Sequence, residues 1–177
     1  MDEARLKMKK QLCLSILALS LYVCPAFAQG QSISTPKESL YSMSLFATLE
    51  QMDKSWGDRQ ENPRDNYGRA NYKNMVVQQD LNITDGLPSQ HGEYRVEYLD
   101  SEALIDRYKR LKKAFPVIVV YPMKNEGTML KIGFNLYWVS YKNGRFLYAL
   151  SDWSHVFLRY DREKEVYTID QIKLGGV

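Results

Sequence analysis

Residues 128–160 read TMLKIGFNLYWVSYKNGRFLYALSDWSHVFLRY, and the fold of the chain turns on them. At their centre stands Asn143-Gly144, two residues that tolerate the positive φ of a type I′ turn, flanked on both sides by long apolar-rich runs. A two-residue turn sets a register. Lys142 then faces Arg145, Trp138 faces Ala149, Leu136 faces Ser151 and Phe134 faces Trp153, on one face with Ile132 and Leu130. The opposite face pairs Tyr141 with Phe146, Val139 with Tyr148 and Tyr137 with Leu150. Beyond residue 155 the apolar positions change parity, to Val156, Leu158 and Tyr160. A one-residue change of phase predicts a β-bulge or corner within Ser151-Asp152-Trp153-Ser154. Length points the same way, because sixteen residues at about 3.3 Å each would make a straight strand of roughly 50 Å. The sheet is expected to bend sharply.

Working outward, Val166 to Leu174 and Val117 to Tyr121 read as further strands. Upstream, Asp100 or Ser101 caps a helix whose stripe is Leu104, Ile105, Tyr108, Leu111 and Phe115, and Pro116 ends it. Lys109, Arg110, Lys112 and Lys113 crowd its last turns, where cations oppose the helix dipole favourably. Met75, Val77, Gln79, Leu81 and Ile83 alternate with polar neighbours, as do Tyr94, Val96 and Tyr98, so two strands are expected there. The stretch between them, Thr84 to Gly92, contains Asp85-Gly86 and Pro88 and reads as a loop.

A first helix starts at Thr35-Pro36-Lys37-Glu38, where Thr caps, Pro occupies the first turn and Glu closes the capping box. Tyr41, Leu45, Leu49, Met52 and Trp56 follow at helical spacing, and Gly57 is a natural stop. The chain from Asp58 to Asn74 is polar and lacks periodicity, a long connection of the kind that is functional or mobile. The expected class is α+β: two helices packed on a strongly bent, mainly antiparallel sheet of about six strands. This element order broadly resembles the cystatin-like and nuclear-transport-factor-2-like architectures. The resemblance implies a bent sheet wrapped over helices, a scaffold that hosts both enzymes and binding modules.

The beginning of the chain carries an address. Lys9 and Lys10 precede an apolar run from Leu12 to Val23, which ends in Pro25-Ala26-Phe27-Ala28 with small residues at the −3 and −1 positions before Gln29. A charged start, a short apolar middle and an A-x-A exit predict a secretory signal peptide over residues 1–28, with Met8 as an alternative start. The product, residues 29–177, is expected to be a single α+β domain in the periplasm or outside the cell. Both cysteines, Cys13 and Cys24, fall in the leader, so this product has no disulfide and must rest on packing. Tyr22-Val23 places bulky residues where lipidation at Cys24 would need small ones, which favours a soluble product. Without the leader the chain has 20 basic and 19 acidic residues and twelve tyrosines. So balanced a surface gives no long-range attraction for nucleic acid or acidic lipid.

No motif names a chemistry. Asp152-Trp153-Ser154-His155 gathers an acid, a hydroxyl and an imidazole, yet neighbouring strand residues point to opposite faces, so Ser154 and His155 should not meet. The same alternation separates Asp152 from His155. His91 and His155 alone, without a cysteine, make transition-metal ligation unexpected, and Asp80, Asn82, Thr84 and Asp85 lack the spacing of a calcium loop. No cofactor is expected.

The aromatic set is more informative. Tyr137, Tyr141, Phe146 and Tyr148 should share one sheet face, and Trp138, Phe134 and Trp153 the other. Either each helix covers one face, or one face is left as an aromatic surface with Asn135, Asp152 and Arg145 as polar points. The candidate contact residues are Asn135, Tyr137, Tyr148, Asp152, Trp153 and His155 on the sheet, with Tyr67, Arg69 and Tyr72 in the polar connection. The expectation is an exported, non-enzymatic binding domain for a small apolar ligand or a partner protein. The alternatives are a cofactor-free enzyme using Asp152 with Tyr137 or His155, and a secreted inhibitor or immunity-type protein.

Overall fold

The hairpin is where the sequence places it. In the computed structural model, which describes residues 37–57 and 70–176, Asn143 and Gly144 take φ of 52° and 75°, the left-handed conformation a type I′ turn needs. They join β6 (Met129–Lys142) to β7 (Arg145–Asp161). The expected register holds from Lys142↔Arg145 through Tyr137↔Leu150. It then slips at Leu136/Tyr137, because Ser151 is an extra residue on β7. From there Leu136 faces Asp152, Asn135 faces Trp153 and Phe134 faces Ser154. The pairings of Leu136 with Ser151 and of Phe134 with Trp153 are therefore each corrected by one residue.

Around this hairpin the described elements run α1 (Lys37–Trp56), β1 (Asn74–Gln78), β2 (Gln90–His91), β3 (Tyr94–Leu99), α2 (Ser101–Leu111), β4 (Phe115–Val120), β5 (Lys124–Glu126), then β6, β7 and β8 (Val166–Gly176). All eight strands form one open sheet in the order β2-β3-β1-β4-β6-β7-β8, with β5 beside β6. The architecture is α+β with a mixed sheet. β1 runs parallel to both β3 and β4, and the remaining pairings are antiparallel. Two short strands, β2 and β5, bring the number above the six expected.

Three boundaries differ from the sequence reading. β1 stops at Gln78, and the alternation continuing to Ile83 is not strand. Asp80 ends it: its carboxylate accepts from the Asn82 amide at 2.8 Å, and its carbonyl accepts from the Thr84 hydroxyl at 3.0 Å. Local side-chain bonds of this kind compete with a ladder. Ile83 and Leu87 nevertheless fold back into the core, while Leu81 is 74% exposed. α2 is capped by Asp100, whose carboxylate accepts from the Ala103 amide at 2.9 Å, and it closes on Lys112 in the left-handed region. Phe115, expected on its stripe, instead opens β4.

The two helices take opposite faces of the sheet. α1 packs against β3, β6, β7 and β8. Beneath it Leu45, Leu49 and Met52 meet Met75, Val77, Ile118, Ile132, Phe134, Leu136, Val156 and Leu158 in one buried cluster. A buried bond, Thr48 Oγ1 to Ser154 Oγ at 3.1 Å, ties the helix to β7. α2 packs on the other face, where Leu104 is buried against Val76, Phe115, Val117 and Val139. Alternation along β1, β4 and β6 supplies both clusters from the same strands. Leu136 and Val139, both fully buried, look in opposite directions.

Candidate functional site

The α2 face continues past α2, and there the sheet presents aromatic residues. β7 contributes Phe146, Tyr148 and Leu150 before the bulge and Trp153 and His155 after it. β6 contributes Tyr141, Tyr137 and Asn135 beside them, and Tyr121, just past β4, sits next to Gly133, its backbone N–H donating to the Gly133 carbonyl at 2.9 Å. Because Ser151 is extra, Trp153 and His155 join the tyrosines, not Phe134 and Trp138 as expected. The bulge assembles the surface.

Polar contacts within it are short and specific. The hydroxyls of Tyr121 and Tyr137 lie 2.9 Å apart, and the Asn135 amide donates to Tyr137 at 3.0 Å and to Tyr121 at 3.4 Å. Burial, reinforced by the Tyr137 hydroxyl, pushes Tyr121 up to about 12, so this phenol remains neutral throughout the physiological range. Tyr148 donates to Gln78 Oε1 at 3.2 Å and meets the Tyr137 ring edge-on with centroids 5.6 Å apart. Burial also raises its pKa.

Trp153 lies across β8. A Cβ added at Gly175 would fall 2.2 Å from Trp153 Cζ2, so only glycine lets the indole lie there. Its ring stacks obliquely on His155 at 4.8 Å. Partial burial holds the His155 imidazole below its ordinary pKa, and Lys131 and Lys173 add to this, against an opposing pull from Glu126. Both lysines approach the neighbouring Phe157 ring, at 5.9 and 4.9 Å, forming a cationic border. Lys131 also pairs with Glu126.

Of the expected contact residues, Asn135, Tyr137, Tyr148, Trp153 and His155 therefore share one surface. Asp152 does not. It is buried on the α1 face, its carboxylate accepting from the Ser151 hydroxyl at 2.7 Å, and Arg145 stands on that face at the hairpin tip. Tyr72 is 5% exposed, part of the core beneath α1. Tyr67 and Arg69 lie outside the described residues. Tyr121 and Leu150 belong to the surface and were not anticipated as contact residues. Leu150 was legible as Tyr137's partner, whereas Tyr121 required the β4–β6 register.

Two pairings considered from the sequence are not formed among the described residues. Ser154 is buried against Thr48 on the α1 side and His155 looks the other way, so no hydroxyl–imidazole pair forms. Nor does Asp152 reach His155 or Tyr137. Among the described residues no group of three His, Cys, Asp or Glu side chains is placed to hold a metal. Elsewhere, a cavity of about 590 Å³ lies at the C-terminal end of α1, lined by Asp53, Lys54, Gly57 and residues 70–73. Its charges are mutually engaged: Lys73 contacts Glu93 at 2.7 Å and Asp53 at 3.9 Å, and Tyr94 donates to Asp53 at 3.4 Å. No described helix is long and apolar enough to cross a membrane. Comparison of the chain with family models, with curated proteins and with solved structures finds no match in any of the three.

Proposed function

We propose that residues 29–177 form an exported binding domain that holds a partner protein on the aromatic surface beyond α2. One observation supports this above the others: among the described residues α2 packs on only part of its sheet face, and past it Tyr121, Tyr148 and Leu150 are exposed beside the half-buried Tyr137 and Trp153. Tyrosine and tryptophan suit such a role because each offers a large rigid apolar body with a polar tip, and they dominate the energetic centres of interfaces. Tyr121, Tyr148 and Leu150 lie open at the surface, 38%, 41% and 40% exposed, which favours a macromolecule over the small apolar ligand also considered. The separation of Asp152 from His155 and Tyr137 counts against the acid–base enzyme alternative. An inhibitor or immunity-type role is one form this protein binding could take.

A photo-crosslinking residue at position 137 or 153, in the full chain expressed with its leader, tests the proposal. A discrete adduct from both positions, absent when the same residue replaces the well-exposed Leu81, is the expected result. Adducts that are identical from position 81, or none from 137 and 153, would overturn it.

A further inference from the structure

Beyond Trp153 and His155 the aromatic surface meets a row of lysines. Lys124 of β5 stands opposite Lys131 of β6, Lys131 stands opposite Phe157 of β7, and Lys173 of β8 stands opposite His155. Alternation puts all three lysines on the face that carries Trp153 and Tyr137. Like charges directly opposite one another destabilise an antiparallel pair, so Lys124↔Lys131 is a costly arrangement for the fold alone. A single carboxylate, Glu126, serves it, and that group pairs with Lys131. Among the described residues Lys124 and Lys173, both exposed, form no ion pair. The next acid along β8, Asp170, is engaged by Arg159 at 2.7 Å, and Asp152 lies on the opposite face.

Two of these cations are held in place. Phe157 is 6% exposed yet belongs to neither apolar cluster, and the Lys131 and Lys173 ammoniums lie 5.9 and 4.9 Å from its ring centre. Lysine stems cover apolar surface while their charged heads stay in water, so Phe157 is roofed by the row itself. Side chains ordered beforehand lose less freedom when a partner arrives. The same two lysines add to the burial that already opposes protonation of His155, a sign of positive potential at the edge of the aromatic surface. The row is short: three interstrand spacings of roughly 4.8 Å separate Lys124 from Lys173, about 14 Å in all. Four or five residues of extended chain span about that distance, with alternate side chains on one side.

We infer that the partner protein docks through an acidic segment with Asp or Glu at alternate positions, its carboxylates over Lys124, Lys131 and Lys173 and an adjoining apolar side chain on Trp153 and Tyr121. This rests on the protein-binding function proposed above and gives that partner a chemistry. A peptide is favoured over an acidic membrane because basic patches that hold lipid gather roughly four to eight cations, and this row has three. The hydroxyls of Tyr121 and Tyr137 and the Asn135 amide, clustered beside the row, are groups a peptide backbone can bond.

A pair of labelled peptides tests the inference, Phe-Glu-Ser-Glu-Ser-Glu-Leu and its counterpart with lysine at each glutamate. They are titrated by fluorescence anisotropy with the protein purified from cells that express the full chain with its leader. The glutamate peptide should bind at least about ten-fold more tightly at low salt, and the difference should shrink at high salt. Lys124→Glu combined with Lys173→Glu turns the row into one lysine among three glutamates and should reverse the preference. Reversal is a result that a misfolded chain cannot give. Equal binding of the two peptides, or a preference that survives the double substitution, would overturn the inference. So would binding to phosphatidylglycerol vesicles that exceeds binding to the glutamate peptide and is lost in the double variant, which would make the occupant a membrane. Adducts from positions 137 and 153 without discrimination between the peptides would remove the acidic segment and leave the protein-binding function standing. Absence of those adducts removes that function whatever the peptides do.

Discussion

The two faces of the sheet are built from the same strands and have opposite fates. Under α1, side chains from β1, β4, β6, β7 and β8 converge on one cluster, and two buried hydroxyls beside it, Thr48 and Ser154, are paired with each other. Under α2 the cluster is small, and the sheet runs on past an eleven-residue helix into tyrosine, tryptophan and leucine. Among the described residues a twenty-residue helix packs along one face and an eleven-residue helix along part of the other. The difference teaches where this chain places stability and where it leaves surface: the first face is packing, the second is half packing and half display.

Substitutions can break that contrast. The largest effect belongs to Phe134→Ala, which opens a cavity beneath α1 and should cost about 3–5 kcal/mol by urea unfolding, whereas Leu150→Ser on the other face should stay within about 0.5 kcal/mol. Comparable losses from both would mean that the α2 face is closed as well. Next comes the buried hydroxyl pair. Thr48→Val leaves Ser154 without its partner and should cost about 1–3 kcal/mol, and adding Ser154→Ala should cost little more, a non-additivity that a double-mutant cycle reads directly. Additive losses would mean that the two hydroxyls do not depend on each other.

The smallest effect is titration of the display face. The folded-state pKa of His155 lies below the unfolded value near 6.5, so the unfolded chain binds the proton more tightly. The contribution of neutral His155 to stability is complete above about pH 6.5 and is lost as pH falls through the folded-state value. Chemical denaturation between pH 7.5 and 5 should show this decline in the wild type, and His155→Gln should flatten it. An unchanged slope would place the imidazole in a more solvated setting than the stacking on Trp153 implies.

Much of this was legible in advance, because local chemistry dictates it. Asn143-Gly144 admits few turns, and a two-residue turn leaves no freedom in the register of the pairs next to it, so Lys142 through Tyr137 pair as read. Asp100 caps α2 through one side-chain bond to an amide three residues on. The presence of a bulge was written in the parity of Val156 and Leu158, but not its position, since any of four consecutive residues restores the phase. That single residue decides the site: a bulge at Ser151 sends Trp153 and His155 to the tyrosines and Asp152 to the core. Tyr72 gave no periodic signal to separate a core residue from a loop residue.

Residues 37–176 thus determined by themselves the elements whose interactions span a few positions: the helices, the central hairpin and the existence of its irregularity. Only the tertiary structure decided that β1 lies between β3 and β4 in parallel, that β2 and β5 exist, and that α1 and α2 take opposite faces. These pairings join positions far apart in the chain, and their selection depends on burying whole faces at once. Alternation along a strand says that two faces differ, whereas which helix packs on each face is decided by contacts between positions far apart in the chain.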